Sequence, residues 1–206
     1  MAERWRHPNN AYCNIYQQRR MMRRRGFTLI ELMVTTALLG GILIVLGIIL
    51  SGSYQQTAFL TGRGAMTGSV TNALETITSY ALLGADMPAT YTYSSTTYTR
   101  SPSTLIMAIP SLDAQGATIP SSSDTVIFNY VSATGECTLF IYPANGSNRS
   151  QTQRVIVNGL SNATFTYGLT QGQKQVTVTL TGKQDSHGNT ITFPITQTTY
   201  LLNQAL

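Results

Sequence analysis

The 206-residue chain is long enough for one domain or two small ones, and it carries 13 Lys and Arg against 8 Asp and Glu. The positive charge lies at one end. Residues 1–26 hold seven arginines and one acid, a net charge of +6, whereas residues 27–206 sum to −1. The cysteines divide in the same way, into Cys13 and Cys137. Residues 27–206 therefore lack a disulfide framework, a zinc site built from several thiolates, and an overall basic charge for nucleic acid.

The 24 residues from Phe27 to Leu50 are apolar apart from one ionisable side chain, Glu31. As a helix rising ~1.5 Å per residue they would extend ~36 Å, enough to cross the ~30 Å hydrocarbon core of a membrane. The segment is too long for an ordinary cleaved secretory signal. Arg23, Arg24 and Arg25 precede it and no cation follows for a dozen residues, which predicts one pass with the N-terminus in the cytoplasm and the body outside.

Glu31 is a candidate functional residue, because an unpaired carboxylate within a spanning helix costs at least ~2.5 kcal/mol on insertion scales. It is the fifth residue after Gly26, in the order Gly-Phe-Thr-Leu-Ile-Glu, directly behind a basic run. In this pattern the chain resembles the type IV pilin superfamily, whose prepilin signal is a glycine, Phe-Thr-Leu-Ile-Glu and an apolar helix. The resemblance covers about 30 residues, from Arg23 to about Ser53.

The resemblance implies that a prepilin peptidase cuts between Gly26 and Phe27, methylates the new amine of Phe27, and leaves Glu31 important for assembly. The new amine is a cation within an apolar bundle, where Glu31 of a neighbouring subunit can pair with it. Pairing lowers the desolvation cost of both charges. Translation could start at Met1, Met21 or Met22, and the mature product would be the same in each case.

Partners and location also follow from the resemblance. The partners are the prepilin peptidase, an inner-membrane assembly platform, membrane lipid before assembly, and other pilin or pseudopilin subunits contacted through the N-terminal helix. The location is the cytoplasmic (inner) membrane, and later a periplasmic or cell-surface filament.

Beyond the membrane segment an apolar stripe continues the helix, and Gly84 to Pro88 are expected to end it. Internal glycines weaken this helix, so we expect it to be bent or locally melted. Residues 85–104, rich in Thr, Ser and Tyr, predict a surface loop or weak hairpin. The stripe consists of Met66, Val70, Leu74, Ile77 and Ala81.

Period-two segments separated by turn residues follow, which predicts antiparallel strands and an α+β fold in which a sheet packs on the helix. We therefore divide the chain into a leader (1–26, removed), a transmembrane or filament-core helix (27–50), its amphipathic continuation (51–84) and a β-rich exported domain (85–206). The strand candidates are 105–109, 125–131, 137–142, 154–157, 163–167, 175–180 and 190–201, and turns include 121–124, 145–146, 158–159, 171–172 and 185–189.

The order of motifs in the body resembles the J-type minor pseudopilins and W-type minor pilins over about 80 residues. A major pilin of the usual kind fits less well, because it carries a C-terminal disulfide that Cys137 alone cannot form. The matching segments are residues 124–130, 154–167, 176–180 and 201–203.

The sequence offers no catalytic group, metal site or cofactor. Asp185, Ser186 and His187 are adjacent between two strands and indicate a hairpin turn rather than a triad. The acids are scattered, so no calcium loop is visible. We expect Cys137 to be a buried small side chain or, alternatively, to form an intermolecular cross-link. The body's cations Arg149, Arg154, Lys174 and Lys183 lie among acids and predict a solvated face rather than a nucleic-acid site.

We therefore interpret the chain as a structural subunit, a minor pilin or pseudopilin that initiates or caps a type IV pilus or a type II secretion pseudopilus. The alternative is a membrane-anchored exported enzyme or binding protein, including a DNA-uptake pilin, with a prepilin-like leader. The sequence does not separate secretion from adhesion, motility or DNA uptake.

Overall fold

The computed structural model describes residues 26–186 and 189–203. One helix, α1 (Leu29–Leu83), precedes nine strands in this part of the chain. The chain divides after Ser53 into a first and a second unit. The strands are β1 (Thr90–Tyr93), β2 (Thr96–Thr99), β3 (Thr104–Leu112), β4 (Thr118–Val131), β5 (Glu136–Tyr142), β6 (Thr152–Val157), β7 (Leu160–Thr170), β8 (Gln173–Ser186) and β9 (Asn189–Tyr200).

In the second unit, the predicted helical stripe is confirmed. Val70, Leu74, Ile77 and Ala81 are buried, and Met66 packs against them. The helix ends at Leu83, as expected from the glycine and proline that follow. The expectation that the glycines melt the helix locally was wrong, because α1 is continuous from Leu29 to Leu83. Each glycine costs only about 1 kcal/mol in a cooperative helix whose other residues still propagate it.

All strand pairs are antiparallel, in sheets ordered β3-β4-β5-β6 and β7-β8-β9 and in a separate β1-β2 hairpin. One core lies between the second half of the helix and both larger sheets. It includes Phe128 and Leu139 from the first sheet and Phe165 and Leu180 from the second. The predicted α+β arrangement is confirmed.

Within residues 85–104, for which a surface loop or weak hairpin was expected, residues 90–99 form a hairpin, in which four pairs of threonine and tyrosine residues join β1 to β2. Its tyrosines cover the other face of the four-stranded sheet. Tyr91 and Tyr98 pack beside Tyr142, and the Tyr98 and Tyr142 hydroxyls are 3.0 Å apart. The aromatic residues of this segment therefore cover a second, small cluster with Ile106 and Ile127.

The predicted turn at 121–124 was wrong, since these residues lie inside β4. The pairing of β3 with β4 is irregular at this point. Its register shifts between Pro110 and Leu112 of β3, and Ser121 of β4 has a φ of 60°. A residue in the left-handed region within a strand pair is typical of a bulge. The strand therefore continues past polar residues that resemble a turn.

Candidate functional site

The first unit contains the start of helix α1, where Thr28 acts as the N-cap. The Leu32 N–H donates to the Thr28 carbonyl at 3.1 Å, and the Glu31 N–H donates to Thr28 Oγ1 at 3.3 Å. Thr28 thus satisfies a backbone donor that the helix itself cannot. The capping role of Thr28 was not predicted above, although Thr28-x-x-Glu31 has the spacing of a capping box.

Glu31 occupies the third helical position, in the first turn. The N-terminus of a helix carries a partial positive charge, so a carboxylate there is stabilising by about 0.3–1 kcal/mol when exposed. In a capping box the glutamate also turns back toward the backbone of the cap residue. Glu31 therefore lies where an anion favours the start of the helix.

Gly26 and Phe27 precede the cap in a non-helical, exposed segment, and the Phe27 residue is 74% exposed. Both residues that flank this peptide bond are therefore exposed among the described residues. Arg23, Arg24 and Arg25, like the rest of residues 1–25, lie outside the described residues.

The apolar side chains of the first unit are exposed, with none of the most apolar 18-residue window buried within the chain. The hydroxyls in this segment bond within the helix: Thr35 Oγ1 donates to the Glu31 carbonyl at 2.9 Å and Thr36 Oγ1 to the Leu32 carbonyl at 3.0 Å. Polar groups bonded in this way are compatible with lipid. Helix α1 is long and apolar enough to cross a membrane.

In the second unit, Asp124 is a fully buried carboxylate held by four donors. Its Oδ1 accepts from Ser111 Oγ at 2.7 Å and the Ala144 N–H at 2.8 Å, and its Oδ2 from Ser147 Oγ at 2.9 Å and Arg149 Nη1 at 2.6 Å. Burial alone would raise the pKa of Asp124, but these hydrogen bonds outweigh burial and hold that pKa below its ordinary value. A carboxylate kept ionised by four donors joins strands and does not accept protons readily.

Three of the four cations predicted to form a solvated face lie in ion pairs, one on the loop after β5 and two on β8. Arg149 pairs with Asp124, Lys174 with Asp86 and Lys183 with Asp185. Their charge is balanced locally rather than gathered into a basic stripe. The fourth cation, Arg154, is exposed on β6.

Among residues 26–186 and 189–203, no three His, Cys, Asp or Glu side chains meet as metal ligands. His187 lies outside the described residues. Cys137 is buried on β5, where burial raises the pKa of its thiol to about 12. This confirms Cys137 as a buried small side chain rather than a surface thiol.

Comparison with known proteins gives one match. A family model described as the prokaryotic N-terminal methylation motif matches residues 21–40. A search of curated proteins and a search of solved structures found no match. The matched residues include the non-helical segment, the Thr28 cap, Glu31 and the first apolar turns of α1. The chain therefore carries a prepilin-type N-terminal methylation signal of the kind found in type IV pilins and pseudopilins.

Proposed function

We propose that this protein is a minor pilin or pseudopilin, inserted in the cytoplasmic membrane and later extracted into a filament. The observation that carries the proposal is the methylation-motif match at residues 21–40, on a helix whose most apolar 18-residue window is not buried by any of the described residues. Such a surface needs either lipid or other helices around it. A filament core supplies those helices.

In this proposal a prepilin peptidase cuts between Gly26 and Phe27 and then methylates the Phe27 amine. The exposed, non-helical segment at this bond supports the placement of the cut. Removal of residues 1–26 takes away a net charge of +6 that orients the chain in the membrane but would be costly in an apolar bundle.

Cleavage would create a cationic amine one residue before the Thr28 cap. A cation at the positive end of a helix is unfavourable, and an amine in an apolar bundle also loses its hydration. Glu31, in the first turn of the helix, is the nearest acid in sequence that can offset both costs. We assign it to pairing with the Phe27 amine of a neighbouring subunit, which fixes the axial register of the incoming helix.

The experiment is a comparison of Glu31→Gln with Glu75→Gln, a matched change at an exposed position of the same helix. Both variants should reach the membrane in normal amounts. We expect Glu31→Gln to reduce incorporation into sheared filaments about tenfold or more, because it leaves the amine unpaired. Equal incorporation of the two variants would refute the pairing role.

We assign the body of the protein a structural role at the start or tip of the filament, in line with its prepilin-type signal. Cleavage, methylation and helix pairing would be the same in a secretion pseudopilus and in a pilus. Co-isolation of the processed chain with pilus subunits or with secretion pseudopilins would distinguish the two settings. A processed chain that remains in the membrane in cells with active filaments would favour a membrane-anchored enzyme or binding protein.

A further inference from the structure

A groove follows the outer edge of β7 in the second unit. It consists of two depressions of about 290 and 340 Å³ that share Arg100 and Tyr167 in their walls. The first depression is also lined by Met87, Leu169 and Lys174. Volumes of this size, at the lower end of ligand pockets, accommodate individual side chains of a bound peptide.

The outer edge of β7 is open only over residues 167–170 among the described residues, because the Leu160 and Phe165 N–H groups already donate to the Gly135 and Pro102 carbonyls. In the described part of the chain its sheet is ordered β7-β8-β9, so β8 covers one edge only. The Phe165 N–H points outward and donates to the Pro102 carbonyl at 2.8 Å. Because backbone groups of alternate residues face the same side of a strand, those of Tyr167 and Leu169 also face outward. Such an edge can accept an additional strand.

The groove carries a positive charge that is held in place. The Arg100 guanidinium carbon lies 4.7 Å from the centre of the Tyr167 ring, and Nη1 donates to the Met87 carbonyl at 2.7 Å. A guanidinium has five N–H donors, which suits it to a carboxylate. Neither depression has an acidic side chain in its described lining, and the neighbouring Asp86 already pairs with Lys174 at 2.5 Å.

An apolar contact lies next to this charge. Leu169 is 72% exposed at the rim, above the nearly buried Met87. Arg100 and Leu169 line the same depression, so one bound segment can contact both side chains.

We propose that this groove binds an extended acidic segment of another polypeptide. The segment adds as a strand to the outer edge of β7, places a carboxylate against Arg100 and packs an apolar side chain on Leu169. The cations Arg100 and Lys174 outnumber the one neighbouring acid, Asp86, so the groove favours an acidic partner over a basic one. A second copy fits poorly, because the described acids of this chain lie in the helix, in turns or loops, or in strands that already have a partner. The inference needs only an exported body, not cleavage or filament assembly.

The test is photo-cross-linking of the full chain in the cells that produce it, with p-benzoylphenylalanine in place of Leu169 and the adduct mapped by mass spectrometry. We expect an adduct with a different polypeptide, within about three residues of an Asp or Glu, at alternate positions of an extended segment. Arg100→Glu should lower its yield about tenfold or more. Arg154→Glu, an exposed change on another sheet, should leave the yield unchanged.

A charge exchange between Arg100 and the partner distinguishes loss of their contact from misfolding of the body. If Arg100→Glu acts by charge, exchanging the partner's acid for arginine restores the adduct, which a misfolded body cannot do. An absent adduct, an adduct with a second copy of this chain, a cross-linked segment without an acid, or a yield that is the same with Arg100→Glu would each overturn the proposal.

Discussion

The Asp124 carboxylate and the Arg149 guanidinium form an ion pair of 2.6 Å whose acidic member is completely buried. Asp124 lies in β4, whereas Arg149 follows β5. Arg149 also donates to the Pro110 carbonyl of β3, and Ser111 of β3 donates to the carboxylate. The pair therefore joins the segment after β5 to the middle of β4 and the end of β3.

Replacing Asp124 with alanine should destabilise the body strongly. The change leaves a mostly buried guanidinium and two serine hydroxyls without their acceptor, which costs about 3–5 kcal/mol. The measurement is thermal or urea unfolding of the full chain in detergent, followed by circular dichroism. Glu75→Ala, on the exposed face of α1, is the control and should change stability by no more than about 0.5 kcal/mol. Equal effects would show that the buried network contributes little.

The same network predicts a pH dependence. Because the folded pKa of Asp124 is held below its ordinary value of 3.8, its contribution is fully present above that value and is lost as pH falls through the folded pKa. The stability difference between the natural chain and Asp124→Asn should therefore stay constant from about pH 8 to pH 5 and shrink below about pH 4. A difference that grows on acidification would mean that Asp124 is protonated in the folded state.

Substitution of two glycines, Gly182 and Gly68, should change the free energy of unfolding in opposite directions. A side chain at Gly182 of β8 would overlap the ring of Phe193, its partner on β9, so Gly182→Val should cost about 1–3 kcal/mol. Gly68 in α1 has open space around its Cβ position, so Gly68→Ala should add about 0.5–1 kcal/mol through helix propensity alone. Unfolding of the two variants side by side measures both, and a stabilising Gly182→Val would refute the packing.

Cys137 should be unreactive in the folded chain. It is buried and its thiol pKa is raised to about 12, whereas the reactive species is the exposed thiolate. Ellman's reagent at pH 8 should label no thiol in the processed, folded protein and one per chain after unfolding. Labelling of the folded protein, or a disulfide-linked dimer in non-reducing gels, would restore the cross-linking interpretation.

Local patterns predicted the features of this chain that depend on local physics. The apolar stripe from Met66 to Ala81 has a helical period, and the hairpin turn at Gln171-Gly172 has both residues at positive φ, as a tight turn between paired strands requires. The capping role of Thr28 was equally local and was visible in the Thr-x-x-Glu spacing.

The buried carboxylate could not be predicted in this way. Ser121 to Asp124 have the composition of a turn, and they remain in a strand because Asp124 is solvated by Ser111, Ser147 and Arg149. Those donors come from other parts of the chain, so no window around Asp124 contains them. The groove beside Arg100 could not be predicted for the same reason, because Tyr167 lies 67 positions away from Arg100 in the sequence.

The central claim is that the chain is processed as a prepilin, and the mass of its N-terminus tests this most directly. The chain should be isolated from cells with an active prepilin peptidase and from matched cells without it. We expect a mature protein that begins at Phe27 and carries one methyl group on the Phe27 amine, and unprocessed precursor in the peptidase-deficient cells. An intact leader through Gly26 in cells with active peptidase would contradict the account.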